Sequence, residues 1–281
     1  MNHLEATLKT MDGIEFHYES WEKSTGSYGK IGILLNGIGE YCGVNNNLIN
    51  FLVENGFKVF SPDLPGFGKT NLKKTKHSSL PSYLNCFQTL LENIQATAGK
   101  SKKIVVFAND ITCLLILAYL TKLKSPVTKF VFFSPLIELA EKYFSSAYII
   151  EYCLFLLGIK KYKTIQLKAD LFSDQEKFIE IYNRDKNHYK KIPLRFFIDC
   201  QNFNKEIMTK GKILNKSDLI CIHGNDDKLT DINMISDIIQ KLHFTSIKIE
   251  NLLRTKHNVF YGKYSNKIFT ILTEWFSNNN I

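Results

Sequence analysis

Several residues that can do chemistry stand where an apolar run of this chain gives way to a turn. Asp110 follows the run Ile104–Ala108 and precedes the apolar stretch Ile111–Leu123, so it falls on the sharp turn between a strand and a helix. A carboxylate there is a nucleophile that needs no deprotonation at neutral pH. Residues two before and two after such a turn must be small, because the two backbones close on each other. Ala108 and Thr112 are small, although neither is glycine. Asp226 and Asp227 follow the run Leu219–His223, and His257 follows Ser246–Glu250. These are residue types that supply acid and base roles when a fold brings them together. Other candidates read as structural: Asp63 fixes the turn after it through an Asx-type bond, and His223 is a satisfied histidine at a strand end. His17, His77, His188 and His243 have no paired spacing, so no metal is expected.

The elements that must position these residues follow one rhythm. Leu4–Lys9 and Ile14–Trp21 flank Asp12-Gly13 and predict a β-hairpin. Short apolar strands are predicted at Ile31–Asn36, Phe57–Ser61, Ile104–Ala108, Phe130–Phe133, Leu219–His223 and Ser246–Glu250. Helices are predicted at Asn47–Asn55, Leu80–Ala98, Ile111–Leu123 and Asn266–Phe276. Alternating short strands and helices imply an α/β fold whose mainly parallel sheet is covered on both faces, extended by the antiparallel hairpin. The rhythm pauses from 137 to 207, too long for a connecting loop. That stretch is expected to be an inserted helical cap (137–207) on a core made of 1–136 and 208–281.

Bulk properties remove whole classes. Hydrophobic residues are 44% and charged residues 22% of the chain, which excludes disorder and coiled coil. The net charge of +9 is carried by scattered lysines, the arginines being Arg184, Arg195 and Arg254, so a nucleic-acid surface is not expected. Six cysteines without CxxC spacing read as buried thiols of a reducing compartment. With no apolar leader and no membrane-length span, a cytoplasmic location is expected. The Gly66-Phe67-Gly68 turn lacks dinucleotide-binding spacing, so no cofactor is expected.

Five segments carry a resemblance. Asn36-Gly37-Ile38-Gly39-Glu40-Tyr41 is similar to an HGxGEH loop, and Ser61–Thr70 to an APDxRGHGxS segment. Ile222–Asp227 is similar to an HGxxD segment, and Lys256-His257-Asn258 stands where a histidine follows the last strand. Asp170–Asp174 and Tyr182–Asp185 echo lid segments. Together, in this order, they resemble the monoglyceride lipase and lysophospholipase family of α/β-hydrolases (serine aminopeptidase S33-like). The resemblance implies an α/β-hydrolase fold and a triad of Asp110, His257 and Asp227, with aspartate where the family pattern GxSxG has serine. It implies an oxyanion hole from the amides of Ile38 and Ile111, the latter aided by the helix N-terminus. Asn36, Gly37, Asn109, Tyr148 and Tyr152 are the substrate-contacting candidates.

Three readings of Asp110 follow. As a nucleophile toward a saturated carbon it gives an alkyl ester, which His257, oriented by Asp227, hydrolyses through water; epoxide hydrolases of this fold work so. Attack on an ordinary ester gives an anhydride instead, a poorer route. An epoxide oxygen needs an acid, and Tyr143, Tyr148, Tyr152, Tyr162, Tyr182 and Tyr189 are candidates. The second reading is a fold that no longer hydrolyses and binds an apolar ligand or a protein partner. In the third, a nearby serine or cysteine replaces the nucleophile; Cys113 is the nearest thiol, but inside the helix and facing the core it is inert. Phe144–Gly158 is apolar on almost every side, so it is buried or faces lipid. In a cap it lines a tunnel for an acyl or alkyl chain, a small apolar or lipid substrate, and with Lys160, Lys161 and Lys163 it can touch a membrane surface.

Overall fold

The structure, a computed structural model, describes residues 1–70, 79–98, 102–136, 162–164, 168–185 and 191–281. The run Phe144–Gly158, with Tyr148 and Tyr152, lies outside these residues, as do Tyr143, Tyr189, Lys160 and Lys161.

An eight-stranded sheet forms the centre. Its strands are β1 (Asn2–Lys9), β2 (Glu15–Glu22), β3 (Lys30–Leu35), β4 (Phe57–Pro62), β5 (Lys103–Asn109), β6 (Lys129–Phe133), β9 (Asp218–Gly224) and β10 (Ser246–Leu252). They lie side by side in the order β1-β2-β4-β3-β5-β6-β9-β10. The pairs from β4 to β10 are parallel, while β1 with β2 and β2 with β4 are antiparallel. The hairpin turns as its sequence demands: Gly13 takes φ 85° and its amide donates to the Thr10 carbonyl at 2.9 Å. A separate antiparallel pair joins β7 (Tyr162–Thr164) and β8 (Lys191–Pro193), so 137–207 is not helical throughout.

Side chains alternate across the sheet with period two. Ile31, Ile33, Val106, Phe130, Phe132, Leu219 and Cys221 enter one core. Leu34, Val105, Phe107, Val131, Phe133, Ile220 and Ile222 enter the other. The first core lies under α2 (Leu80–Ala98), α3 (Ile111–Lys122), α6 (Leu194–Lys210) and α7 (Ile232–Lys241). The second lies under α1 (Asn46–Glu54) and α8 (Asn266–Asn278). Residues 111–121 of α3 are all buried, as an all-apolar helix requires. Two further helices, α4 (Ala169–Phe172) and α5 (Glu176–Arg184), build a small cluster of Ala169, Phe172, Phe178, Tyr182 and Leu229.

The helix α7 is not among those predicted from the sequence. Asp231 caps it, its carboxylate accepting from the Asn233 amide at 2.8 Å, and Ile235, Ile238 and Ile239 form its buried face. Among the described residues five cysteines (Cys42, Cys86, Cys113, Cys200 and Cys221) are free and buried. No described helix is long and apolar enough to cross a membrane.

Candidate active site

The carboxyl ends of β3 and β5, the loop after β10 and the stretch from Phe172 to Tyr182 converge on one small pocket. Ile38, Glu40, Asn109, Asp110, Phe172, Phe178, Tyr182, His257 and Asn258 line it. Its cavity is about 10 Å³, the room of about one water-sized sphere.

Asp110 sits between β5 and α3 with φ 57° and ψ −124°. A non-glycine residue there is strained by about 1–3 kcal/mol and must be held by its neighbours. The Asp110 amide donates to the Phe133 carbonyl at 2.9 Å, and its carbonyl accepts from Leu136 at 3.1 Å and Cys113 at 3.2 Å. Thr112, one of the small residues the turn requires, donates its hydroxyl to the carbonyls of Leu35 at 3.0 Å and Asn109 at 2.7 Å.

The two oxygens of the Asp110 carboxylate have different surroundings. Oδ2 accepts from the Ile38 amide at 3.1 Å. Oδ1 is buried without a hydrogen-bond partner and lies 3.6 Å from His257 Nε2, which is equally without one. Gly37 makes this approach possible: a Cβ on it would stand 3.0 Å from the Asp110 Cβ and 3.1 Å from Oδ2. Ile111, the other expected oxyanion donor, is the first residue of α3, where helical amides have no intrahelical acceptor.

His257 is 3% exposed, with Nδ1 donating to Asp227 Oδ2 at 2.8 Å and the Phe172 ring edge-on at 5.5 Å. Asp227, not Asp226, is therefore the histidine's acidic partner. Close packing sets this up, because a Cβ on Gly224 would meet the Thr255 carbonyl at 2.3 Å. Asp227 Oδ1 accepts from the Leu229 amide at 2.8 Å, and Oδ2 accepts from the Thr230 hydroxyl at 2.7 Å. His223 Nε2 lies 2.7 Å from that hydroxyl and 3.1 Å from Asp227 Oδ2. A histidine read as structural is thus a second partner of the acid.

Burial opposes charge on both members of this pair, but their proximity wins. Burial alone would raise the Asp227 carboxyl; the His257 charge, with hydrogen bonds from His223 and His257, holds it well below the usual carboxylate range. Burial alone would lower His257; the Asp227 charge and the contact with Asp110 bring it up to about 10.

Other expected residues take different places. Asn109 lines the pocket and donates Nδ2 to Glu40 Oε2 at 3.0 Å. Asn36 does not line it: its Nδ2 donates to the Ser61 hydroxyl at 2.9 Å and its Oδ1 accepts from Asn45 at 3.2 Å, since a buried amide must satisfy both ends. Asp63 is structural but not through an Asx-type bond: its carboxylate accepts from the amides of Lys69, six residues on, and Cys42, each at 2.7 Å. Among the tyrosines considered as acids, Tyr182 reaches the pocket, and burial with the nearby charges of Asp110 and Glu40 pushes its phenol up to about 12.

Glu40, in the loop after β3, has no role that the family likeness implies. It is half-buried, lines the pocket, and accepts from the Gly37 amide at 2.7 Å. Burial and the neighbouring Asp110 charge raise its carboxyl. Its contact with Asn109 joins two segments far apart in the chain, which spacing alone does not reveal.

The segment carrying α4 and α5 is tied to two loops of the site. The Asn258 amide donates to the Phe172 carbonyl at 2.8 Å, and Ser173 Oγ donates to the Tyr261 carbonyl at 2.7 Å. The Tyr41 hydroxyl donates to Asp185 Oδ2 at 2.8 Å.

A strand-elbow-helix turn with an acid–histidine pair beside it, on an open parallel sheet, defines an α/β-hydrolase scaffold. The chain belongs to the Hydrolase_4 family (serine aminopeptidase, S33), whose model matches residues 29–263. A curated relative, phospholipase YtpA of Bacillus subtilis (strain 168), is 21% identical over 208 residues, 72% of this chain and 78% of the relative. A soluble variant of monoglyceride lipase from Saccharomyces cerevisiae, solved with a substrate analogue, superposes with a TM-score of 0.84 at 18% identity, covering 97% of this chain and 94% of that one. The monoacylglycerol lipase of Paleococcus ferrophilus gives 0.78 at 18% identity, covering 98% of both chains. At these identities the structural likeness speaks for the fold.

Proposed function

We propose that this protein is a hydrolase of apolar substrates in which Asp110 attacks a saturated carbon and His257, oriented by Asp227, completes hydrolysis. The observation that carries this reading is the unequal carboxylate. Oδ2 rests on the Ile38 amide, while Oδ1 lies 3.6 Å from His257 Nε2 with no hydrogen bond, and Asp110 lines the pocket. Attack by Oδ1 on an epoxide carbon breaks the C–O bond and leaves an alkyl ester on Asp110. Water then adds to the ester carbon, and the developing charge falls on Oδ2, where the Ile38 amide and the start of α3 stabilise it. His257 must be neutral to take the water proton, and ester formation favours this by removing the Asp110 charge that raises it.

An apolar chain as substrate agrees with the lipid-acting relatives and with the Phe172, Phe178 and Tyr182 lining. In this reading residues 137–207 form the cap, and Phe144–Gly158 with Tyr148 and Tyr152 holds the chain. The flanking lysines bring the cap to a lipid surface, and the protein acts in the cytoplasm without a cofactor.

One observation favours the second reading, a protein that binds an apolar ligand or partner without turnover. A histidine raised to about 10 between two carboxylates is a stable ion pair before it is a base. Intact-protein mass spectrometry with epoxyoctane separates the two. An alkyl adduct that accumulates in His257→Ala and is absent in Asp110→Asn supports the enzyme. No adduct and no turnover in the native protein, with ester hydrolysis gained by Asp110→Ser, supports the binder.

A further inference from the structure

We infer that Glu40 is a catalytic acid of this site, protonating the substrate oxygen that departs as Asp110 attacks; the inference rests on the reading of Asp110 as nucleophile. Two carboxyl groups share the pocket, and their partners divide the labour between them. Asp110 has an amide on Oδ2 and the imidazole opposite Oδ1, an environment for an anion. Glu40 takes both of its hydrogen bonds on Oε2, from the Gly37 amide and the Asn109 side chain. Its Oε1 has no hydrogen-bond partner among the described residues, and Glu40 lines the same pocket as Asp110. Oε1 is thus the oxygen placed to carry a proton toward a substrate.

Charge points the same way. Burial, and after it the nearby Asp110 carboxylate, raise the Glu40 carboxyl, which favours its protonated form. The other acid at the pocket, Tyr182, has a phenol pushed up to about 12 and is the weaker donor near neutrality.

The step balances. Oδ1 of Asp110 forms a bond to carbon, the C–O bond of the epoxide breaks toward oxygen, and that oxygen takes the Glu40 proton to become a hydroxyl. After water cleaves the ester, the carboxylic acid left on Asp110 returns a proton to Glu40. One water has then been added to the epoxide to give a diol.

The test uses Glu40→Gln in the His257→Ala background, where the alkyl ester accumulates. The glutamine carbonyl can still accept from Gly37 and Asn109, so positioning survives and the acid is lost. Adduct formation is timed by intact mass with epoxyoctane, whose oxygen needs a proton, and with bromooctane, whose bromide does not. The expected result is an epoxide rate lower by roughly a hundredfold relative to the bromide rate, an effect of the size general acids supply. Equal losses with both probes, or no loss with either, overturn Glu40 as the acid while leaving Asp110 as nucleophile. A Tyr182→Phe variant that shows the selective epoxide loss in its place also overturns it. No adduct with either probe in His257→Ala alone overturns both the nucleophile and the acid.

Discussion

Asp110 Oδ1 and His257 Nε2 face each other at 3.6 Å, and each is buried with no hydrogen-bond partner. The imidazole therefore lies between two carboxylates, Asp227 on Nδ1 and Asp110 opposite Nε2. A proton on Nε2 is what makes the arrangement favourable, and its loss leaves Asp110 Oδ1 facing a lone pair.

This gives stability a sign with pH. His257 is raised from 6.5 to about 10, so its contribution is complete below pH 6.5 and is lost as pH rises to about 10. Asp227 is depressed, so its contribution is present above pH 3.8 and is lost at lower pH. Thermal melts from pH 6.5 to 10 should show Tm falling in the native protein and falling less in His257→Gln. Parallel curves would remove the ion pair from the account.

Replacing Asp110 by serine tests the scaffold. Serine is a nucleophile toward acyl carbon when a base takes its proton, and loss of the carboxylate lets His257 fall toward its ordinary range. Hydrolysis of p-nitrophenyl octanoate by Asp110→Ser should exceed that by the native protein by roughly a hundredfold. A variant no faster than the native protein would show that the histidine or the oxyanion donors are misplaced for acyl transfer.

Gly37→Ala puts a methyl group 3.0 Å from the Asp110 Cβ and 3.2 Å from Asn109 Nδ2. The loop must move, at a cost of about 1–3 kcal/mol, and the Ile38 amide moves with it. Chemical denaturation should register the cost, and alkyl-adduct formation should fall. An unchanged midpoint with unchanged adduct formation would mean that the loop does not hold Asp110.

Thr230→Val removes the hydroxyl between His223 and Asp227. A buried carboxylate that loses one donor is destabilised by about 1–3 kcal/mol, and the acid-denaturation midpoint should rise. An unshifted midpoint would mean that the contacts of Asp227 with the amides and His257 suffice.

Much of the fold is legible in the chain because strands buried on both faces and amphipathic helices leave different periods. Leu80–Ala98 has the same limits in sequence and structure. By contrast α7 is not among the predicted helices, although Ile232, Ile235, Ile238 and Ile239 stand at helical spacing and Asn233 and Asp237 lie on its exposed face. At the site, the positions of Asp110, His257 and Asp227 follow from strand ends and the family likeness. Glu40 does not, since its partner Asn109 belongs to a different strand end. Asn36 was misplaced for a related reason: a polar residue at a strand end can turn toward its neighbour Ser61 as easily as toward a ligand.

The residue after His257 is bonded through its amide to the Phe172 carbonyl, and Tyr41, just beyond the Ile38 loop, is bonded to Asp185. The stretch from Phe172 to Asp185 is therefore fastened at both ends to the parts that supply the base and the amide donor. A relative that lengthens or shortens this segment cannot do so silently: it must rebuild both attachments or retune the chemistry beneath them. Natural variation there should thus shift rate as well as substrate choice.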